Sequence, residues 1–391
     1  MNKKNAIKTG LGIIVGSLVA GGIFIGVKAA TKEERAFSNE KLAFINAVVG
    51  SNYITEAGSK EMIEGIYEGY VYGLEDKYTS YLSEEAFTKQ KVESDGNYLG
   101  TGIRFSWGIT NQYLMVTDVI PGSPAQEAGV KVGQRIVALD EIPAMMSNEI
   151  EIYEKLTYTG ENAITYKIQE NDGSNEKDIK LNSRIVEIDL IRGELLDKET
   201  GYVKIEGLTD GITKEVESLL EELKNQGATK FILDLRGTYS DNLEEVKALC
   251  DLFLPESTIF TVTDKKNQVK EYKSATAKYE ESMVILTNRY TEGAIEAFVG
   301  AIKESERGIV VGDKTAGNGT IQELIELEDG SGLSITTGLI KTPSGLQIKD
   351  NGIEPNISER TPAANTIELV TTGSVQRAND APLQKAIEVL R

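Results

Sequence analysis

The first pattern in the sequence is a long apolar run near its beginning. No residue between Thr9 and Val27 is charged, and Lys3, Lys4 and Lys8 precede this run. A helix needs about 20 apolar residues to cross the hydrocarbon core of a bilayer, so the run is long enough to span it. Lysines on the leading side favour a cytoplasmic N-terminus. We therefore expect residues 1–30 to anchor the chain in the cell membrane through residues 9–27, with the body outside the cytoplasm.

The same segment has an alternative interpretation as a cleaved signal peptide, which would make the protein secreted. Val27-Lys28-Ala29 resembles a small-residue cleavage site that follows a basic leader. The uncharged run is longer than the apolar region of about 7 to 15 residues that signal peptides carry. Its length favours the anchor.

Residues 31–95 are expected to form a helical lead region, with helix from Thr31 to about Ala86. Apolar side chains recur there in steps of three and four residues, at Ile63, Ile66, Tyr67, Tyr70 and Leu74. This spacing is typical of an amphipathic helix. We expect the apolar face to pack against the next domain.

Residues 96–185 contain short β-rich runs separated by glycine, which indicate a separate domain. Gly100 and Gly102 allow consecutive backbone N–H groups to turn inward as an anion-binding nest. Such a nest holds the terminal carboxylate of a peptide that adds as a strand to a sheet edge. The alternative is a glycine-rich turn without a ligand. The predicted peptide-binding residues are Leu99, Gly100, Thr101, Gly102 and Ile103.

Residues 186–391 alternate between strand-like and helix-like patterns, which predicts an α/β domain with crossover connections. The expected strands are Tyr202–Ile205, Lys230–Arg236, Met283–Leu286 and Ile309–Gly312. The expected helices are Ile212–Leu223, Leu243–Leu254 and Gly293–Lys303.

Composition excludes several functional classes. With 42 basic and 61 acidic residues, the chain carries a net charge of −19, which repels nucleic-acid phosphates and argues against nucleic-acid binding. The chain has no histidine, so it cannot contain a Ser-His-Asp triad or a histidine metal site. Cys250 is the only cysteine. The acidic stretch from Glu323 to Asp329 lacks the spacing of a calcium loop, so we assign no metal and no cofactor.

Several motifs in order resemble the carboxyl-terminal processing peptidases, also called tail-specific proteases. Within that resemblance, residues 96–185 are similar to a PDZ domain. It implies a mixed α/β fold with an anchor, a helical lead, a PDZ domain and an α/β tail-specific-protease core in residues 186–391. It also implies a serine-type peptidase that uses a Ser-Lys dyad, which agrees with the lack of histidine. The motifs are Leu74–Leu82, Tyr98–Ile103, Pro121–Ala125, Gly133–Ile136, Ile232–Arg236, Val311–Thr315, Gly317–Gln322, Thr342–Gly345 and Gly352–Pro355.

The resemblance fails at the catalytic residues. The motif that carries the family's serine aligns Gly293 with the nucleophile, and the Gly-Lys-Gly turn that carries the base reads Gly317-Asn318-Gly319. Gln322, which supports the lysine in the family, is retained. The glycines of the family's Asn-Pro-Gly-Gly oxyanion loop align with Ser240 and Asp241, and an acidic side chain there would oppose a developing oxyanion.

A displaced pair could replace the dyad. Thr291 lies two residues before the vacant serine position, and Lys314 lies four residues before the vacant lysine position. Catalysis tolerates displacements of about 1 Å poorly, and these offsets turn both side chains to other faces of their elements.

Two functional hypotheses follow. The first is a membrane-anchored pseudopeptidase that binds C-terminal peptide segments of proteins without cleaving them. The second is an active serine-type endopeptidase that uses Thr291 and Lys314. As further partners we expect either a second copy of the chain, forming a homodimer, or an active paralogue.

Overall fold

The computed structural model describes residues 39–55, 58–157, 162–372 and 375–391. The predicted anchor, residues 9–27, lies outside this part of the chain. Among the described residues, no helix has both the length and the apolar character needed to cross a bilayer. The chain divides into the compact units Met1–Met62 and Ile63–Arg391, and the second unit contains the sites discussed below.

The described residues of both units form helices and strands, with α1 in the first unit. The helices are α1 Asn39–Asn52, α2 Ser59–Tyr72, α3 Glu84–Ser94, α4 Pro124–Glu127, α5 Glu149–Thr157, α6 Ile212–Asn225, α7 Leu243–Phe253, α8 Ile295–Glu304, α9 Ala363–Thr372 and α10 Ala381–Val389. Short 3₁₀ turns cover Met146–Asn148 and Arg377–Asn379.

The strands are β1 Ser80–Leu82, β2 Asn97–Gly100, β3 Ile103–Trp107, β4 Leu114–Val119, β5 Arg135–Leu139, β6 Ile142–Pro143, β7 Ile164–Gln169, β8 Lys177–Leu181, β9 Arg184–Glu187, β10 Ile191–Leu195 and β11 Thr200–Ile205. They continue as β12 Lys230–Asp234, β13 Tyr239–Ser240, β14 Thr258–Asp264, β15 Val269–Lys273, β16 Ser282–Thr287, β17 Glu292–Gly293, β18 Ile309–Gly312, β19 Thr320–Glu326, β20 Gly332–Lys341 and β21 Ile357–Ser358.

An antiparallel sheet forms the first domain of the second unit, with strand order β3-β4-β5-β7-β8 and β6 beside β5. Side chains alternate along β7, so that Ile164, Tyr166 and Ile168 are buried in the domain core. The motif Pro121–Ala125 starts helix α4. The Ser123 side chain caps the helix, and Pro124 occupies its first turn. Strand β3 is the last strand of this sheet at one edge.

A six-stranded sheet forms the core of the second domain, in the order β10-β11-β12-β16-β18-β21. All neighbours are parallel except β10 and β11. Phe231 and Leu233 on β12 belong to the core cluster that includes α6, α7 and α8 residues, while Ile232 belongs to the cluster that includes Leu383 of α10. Helices therefore cover both faces, as expected for a parallel sheet.

The helical lead differs from its prediction. Instead of continuous helix to Ala86, Ser80–Leu82 form β1, which pairs antiparallel with β20. The pairing connects residues that are far apart in sequence, for example Tyr81 with Leu333. Tyr81 is buried, so this contact outweighs the local helical pattern.

Helix α9 connects the end of the chain with the first domain. It lies against β4 and β3, and the Asn171 side chain donates a hydrogen bond of 2.7 Å to the Thr371 carbonyl oxygen. The last part of the chain thus contacts both domains, since α10 packs on the core sheet.

Candidate functional site

A buried carboxylate organises the region around the predicted catalytic positions. Glu296 lies in the first turn of α8 and is fully buried. Its Oε1 accepts hydrogen bonds from the Thr315 hydroxyl at 2.6 Å and the Gly317 N–H at 2.7 Å. Its Oε2 accepts from the N–H groups of Gly293, Asn318 and Gly319 at 3.1, 2.9 and 3.3 Å. Burial raises the pKa of Glu296, and these donors oppose that effect by favouring the charged form.

The predicted nucleophile position, Gly293, is closed by backbone. Strands β13 and β17 pair in parallel, with Ser240 opposite Gly293, and the Ala294 N–H donates a 2.6 Å hydrogen bond to the Ser240 carbonyl oxygen. Gly293 has φ +86°. A Cβ on this residue would lie 2.2 Å from the Ser240 carbonyl oxygen, far inside van der Waals contact. The observed backbone therefore leaves no room for any side chain at this position.

The predicted base position, Asn318, is part of a chain of hydrogen-bonded polar side chains. Its Nδ2 donates to Glu292 Oε1 at 3.0 Å, and its Oδ1 accepts from the Thr320 hydroxyl at 2.5 Å. Gln322 Nε2 in turn donates to Thr320 Oγ1 at 2.7 Å. Asn318 is only 3% exposed. An amide has no proton-accepting nitrogen at neutral pH, so this residue positions its neighbours and does not act as a base.

The polar chain continues into the helical lead. Gln322 Nε2 also donates to Thr336 Oγ1 at 2.9 Å, and the Thr336 hydroxyl donates to Asp76 Oδ2 at 2.6 Å. Lys349 forms an ion pair with Asp76 at 3.2 Å. Burial opposes ionisation of Asp76, but hydrogen bonds from Thr336 and Thr79, with the Lys349 ammonium, lower its pKa overall. The chain thus ends on a charged carboxylate that is already paired.

Thr291 and Lys314, the predicted displaced pair, have other partners. The buried Thr291 hydroxyl donates to the Leu235 carbonyl oxygen at 2.8 Å and accepts from the Asn288 N–H at 3.1 Å. Lys314 forms an ion pair of 3.0 Å with Glu354, and 47% of its side chain is exposed. These contacts point the lysine towards solvent and fix the threonine hydroxyl on backbone groups.

The loop after Arg236 borders a cleft of about 660 Å³ between α3 and residues 206–209. Tyr239, Ser240 and Asp241 line it. The Ser240 hydroxyl donates to the Leu208 carbonyl oxygen at 3.1 Å. Burial raises the pKa of Asp241, so its carboxyl lies in an environment that disfavours negative charge.

The five residues of the predicted nest lie together in one turn between two strands. Leu99 and Gly100 end β2, Ile103 begins β3, and all five residues are buried. The Thr101 and Gly102 carbonyl oxygens accept 2.9 Å hydrogen bonds from the N–H groups of Ala125 and Ile120. Phe105 on β3 and Tyr153 on α5 have ring centroids 6.2 Å apart, which brings the edge strand and this helix together.

Sequence reasoning missed several residues of this region. Glu292, Thr320 and Asp76 complete the polar chain, and the sequence assigned a role to none of them, although Thr320 and Asp76 lie within the motifs Gly317–Gln322 and Leu74–Leu82. Glu292 lies in the two-residue strand β17, which is too short to show a periodic pattern of apolar residues. Within the described ranges, no group of three or more Cys, Asp or Glu residues is arranged to hold a metal ion.

Comparisons with known proteins identify both domains. Residues 199–359 match peptidase family S41, and residues 115–163 match a PDZ domain. These matches lie inside the second and first domains described above.

Individual relatives agree with the family matches. A carboxyl-terminal-processing protease of Synechocystis sp. is 28% identical over 308 residues, 78% of this chain and 72% of the relative. The carboxy-terminal processing protease CtpA of Bacillus subtilis is 24% identical over 361 residues, 91% of this chain and 76% of the relative. The structure of a photosystem II D1 C-terminal processing protease superposes with a TM-score of 0.51 at 20% identity, covering 88% of this chain and 100% of that one.

The chain therefore combines a PDZ domain with an S41 peptidase region in a mixed α/β fold. It is homologous to the carboxyl-terminal processing proteases, which confirms the family predicted from the motifs.

The closed backbone at Gly293 predicts an unusually costly substitution. A left-handed φ costs a non-glycine residue about 1 to 2 kcal/mol, and overpacking adds about 1 to 3 kcal/mol. Gly345 has φ +90° and open space around its Cβ direction, so Gly345→Ser is a matched control without the clash. We expect Gly293→Ser to lower Tm by about two to three times as much as Gly345→Ser, measured by circular dichroism. Equal shifts would show that the Ser240 carbonyl moves away easily.

Proposed function

We propose that the protein is a membrane-anchored pseudopeptidase, which binds C-terminal segments of other proteins through its PDZ domain and does not hydrolyse them. The observation that carries the proposal is the Ser240 carbonyl oxygen, which occupies the space that a side chain on Gly293 needs. The resemblance assigns the family's serine to this position. The chain has no nucleophile at position 293, and the backbone of Ser240 fills the space of the missing side chain.

The base position supports the same conclusion. The resemblance assigns the family's lysine to Asn318, whose amide donates to Glu292 and accepts from Thr320. A lysine acts as a base only when its surroundings keep it neutral. The Glu292 carboxylate, within hydrogen-bond distance, would instead favour a charged lysine.

The oxyanion position also argues against catalysis. An oxyanion hole needs N–H donors aimed at the developing negative charge. Towards Gly293 the loop instead presents an acceptor, the Ser240 carbonyl oxygen, and the next residue is Asp241. The negatively charged oxygen of a tetrahedral intermediate would therefore face the lone pairs of an acceptor, which repel it, and not N–H donors.

Peptide binding is supported by the first domain. β3 is an edge strand of its sheet, so its outer backbone groups can pair with an added peptide strand. We expect the glycine turn before β3 to supply N–H groups at one end of that edge. Phe105 and Tyr153 provide apolar surface between β3 and α5. The relatives are named as C-terminal processing proteases, and the same recognition of chain ends without cleavage is the activity proposed here.

The active-enzyme alternative gains no support from the displaced pair. Its nucleophile, Thr291, would have to break its hydrogen bond to the Leu235 carbonyl oxygen. Its base, Lys314, would have to leave an exposed ion pair with Glu354.

We expect the purified extracytoplasmic body to leave an unstructured polypeptide with an apolar C-terminus uncleaved. Loss of the nucleophile and base as a unit typically lowers kcat by about 10⁶. The double variant Gly293→Ser with Asn318→Lys should also remain below normal family rates, since a missing oxyanion donor costs a further factor of about 10² to 10³. The measurement is cleavage followed by gel and mass spectrometry.

A third variant separates the causes. It combines the double substitution with an Asn-Pro-Gly-Gly loop after Arg236, and its rate should exceed that of the double variant. Wild-type cleavage that disappears in Thr291→Val or Lys314→Met would establish the displaced pair and refute the pseudopeptidase.

The PDZ domain should prefer peptides with a free C-terminal carboxylate and an apolar last residue. Hydrogen bonds to a charged group contribute about 1.5 to 3 kcal/mol, so amidation of the peptide should weaken binding by that amount. Isothermal titration of acid and amide forms of one peptide measures the difference. Equal affinities would refute recognition of the carboxylate.

The topology is the remaining part of the proposal. Lys3, Lys4 and Lys8 before the apolar run support a cytoplasmic N-terminus and an external body. In cells with a permeabilised outer layer, added protease should remove a C-terminal epitope tag while a cytoplasmic control protein stays intact. Full protection of the tag would refute this orientation.

A further inference from the structure

The cleft beside α3 combines apolar walls with an exposed aromatic ring. Its volume is about 660 Å³, and Leu82, Leu190 and Leu208 line it. Tyr239 also lines it and is 44% exposed. Tyr239 Cε2 would lie 3.3 Å from a Cβ on Gly293, so the ring lies against the predicted nucleophile position. The cleft therefore offers apolar and aromatic surface to the side chain of a bound molecule.

The cleft carries more negative than positive charge. Its charged lining residues are four carboxylates and one ammonium group, namely Glu85, Glu93, Glu206, Asp241 and Lys89. Glu93 pairs with Lys89 at 3.9 Å. Glu206 pairs with Arg192 at 3.1 Å and with Arg104 at 3.7 Å. Among the described residues, Glu85 and Asp241 form no ion pair, so the cleft has two negative charges without a counter-charge.

The backbone around Asp241 is held on both sides. The Ser240 hydroxyl donates to the Leu208 carbonyl oxygen at 3.1 Å and accepts from the Asn242 N–H at 3.1 Å. The Asn242 side chain caps α7 by accepting from the Glu245 N–H. Within the described ranges, no other side chain donates a hydrogen bond to the Asp241 carboxylate. The carboxylate is therefore positioned at the cleft and free to accept from a bound molecule.

We propose that this cleft binds a basic side chain of a polypeptide segment, with the cationic head at Asp241 and the alkyl stem against Tyr239 and the leucines. Arginine and lysine combine an apolar stem with a charged head, which matches the two kinds of surface in the cleft. The face of a tyrosine ring also attracts a cation. This site is separate from the PDZ domain, so it gives the protein a second contact with a partner and does not rest on recognition of the chain end.

Charge complementarity selects this occupant over the others. An acidic segment would be repelled by Glu85 and Asp241. An apolar side chain would remove water from the Asp241 carboxylate without replacing its hydrogen bonds, which is unfavourable. Burial already raises the pKa of Asp241, which shows that its charged form is incompletely solvated. A basic side chain supplies both the donors and the opposite charge. The carboxylate that opposes an oxyanion at this position thus favours a cation.

The test compares two fluorescein-labelled peptides that differ in one charge. Both are short alanine-glycine peptides with an amidated C-terminus, and the central residue is arginine in one and citrulline in the other. Citrulline has nearly the shape of arginine and no charge. Hydrogen bonds to a charged group change affinity by about 10- to 100-fold, so full-length protein in detergent should prefer the arginine peptide by that factor. Fluorescence anisotropy at about 0.15 M salt, where long-range attraction is screened, measures both affinities.

Three variants locate the preference. Asp241→Asn keeps the shape of the side chain and should remove most of the preference for arginine. Glu215→Gln is the matched control, because it changes the net charge equally at an exposed position on α6 that does not line the cleft. Ala86→Trp places a large ring at an exposed position of α3 that lines the cleft, and it should weaken binding of the arginine peptide by blocking entry. Circular dichroism checks that each variant is folded.

Several results would overturn the proposal. Equal affinity of wild type for the two peptides, or binding of neither, shows that the cleft does not select a basic side chain. An effect of Asp241→Asn no larger than that of Glu215→Gln assigns the preference to the net charge of the chain. Unchanged binding by Ala86→Trp places the peptide outside the cleft. These outcomes leave the PDZ proposal untouched, since neither peptide has a terminal carboxylate.

Discussion

The carboxylate of Glu296 is the interaction on which the rest of the site depends. It accepts hydrogen bonds from the Gly293 N–H on β17, just before α8, and from the loop between β18 and β19, including the Asn318 N–H. A fully buried carboxylate without donors would be very costly, so these hydrogen bonds hold the helix and the loop together. The two predicted catalytic positions are thereby kept side by side although neither carries a catalytic group.

The other changes around this framework are mutually consistent. Without a side chain on Gly293, β13 can approach β17 until the Ser240 carbonyl accepts from the Ala294 N–H. With an amide at position 318, a chain of hydroxyl and amide groups extends from Asn318 to the Asp76–Lys349 ion pair. The basic nitrogen at the end of this chain, Lys349 Nζ, is paired with Asp76. The segments at both positions thus take part in structural contacts, through the Ala294 N–H next to Gly293 and through the side-chain amide of Asn318.

Much of this arrangement could be predicted from the sequence. The strands and helices of the core follow from clear patterns of apolar residues. β12 is a continuous apolar run, and α6 shows the spacing of an amphipathic helix. The family followed from motifs in order, and the comparisons agree with it. The contact of Gly293 and Asn318 with the same carboxylate, Glu296, was not predicted.

The remaining features depend on contacts that no local pattern encodes. β13 and β17 have only two residues each, too few for a period, so their pairing and the closure at Gly293 were not foreseen. β1 forms because Tyr81 meets a strand far along the chain. Contacts between segments that are far apart in sequence decide both features.

Intact mass after incubation with a fluorophosphonate tests the central claim most directly. This reagent phosphonylates an activated hydroxyl in a peptidase site, and it requires no knowledge of the peptide partner. The account predicts an unchanged mass for the wild-type protein, since Gly293 has no hydroxyl and the Thr291 hydroxyl donates to the Leu235 carbonyl oxygen. A stoichiometric adduct, mapped to Thr291 or to a residue that borders the cleft, such as Ser240, would contradict it.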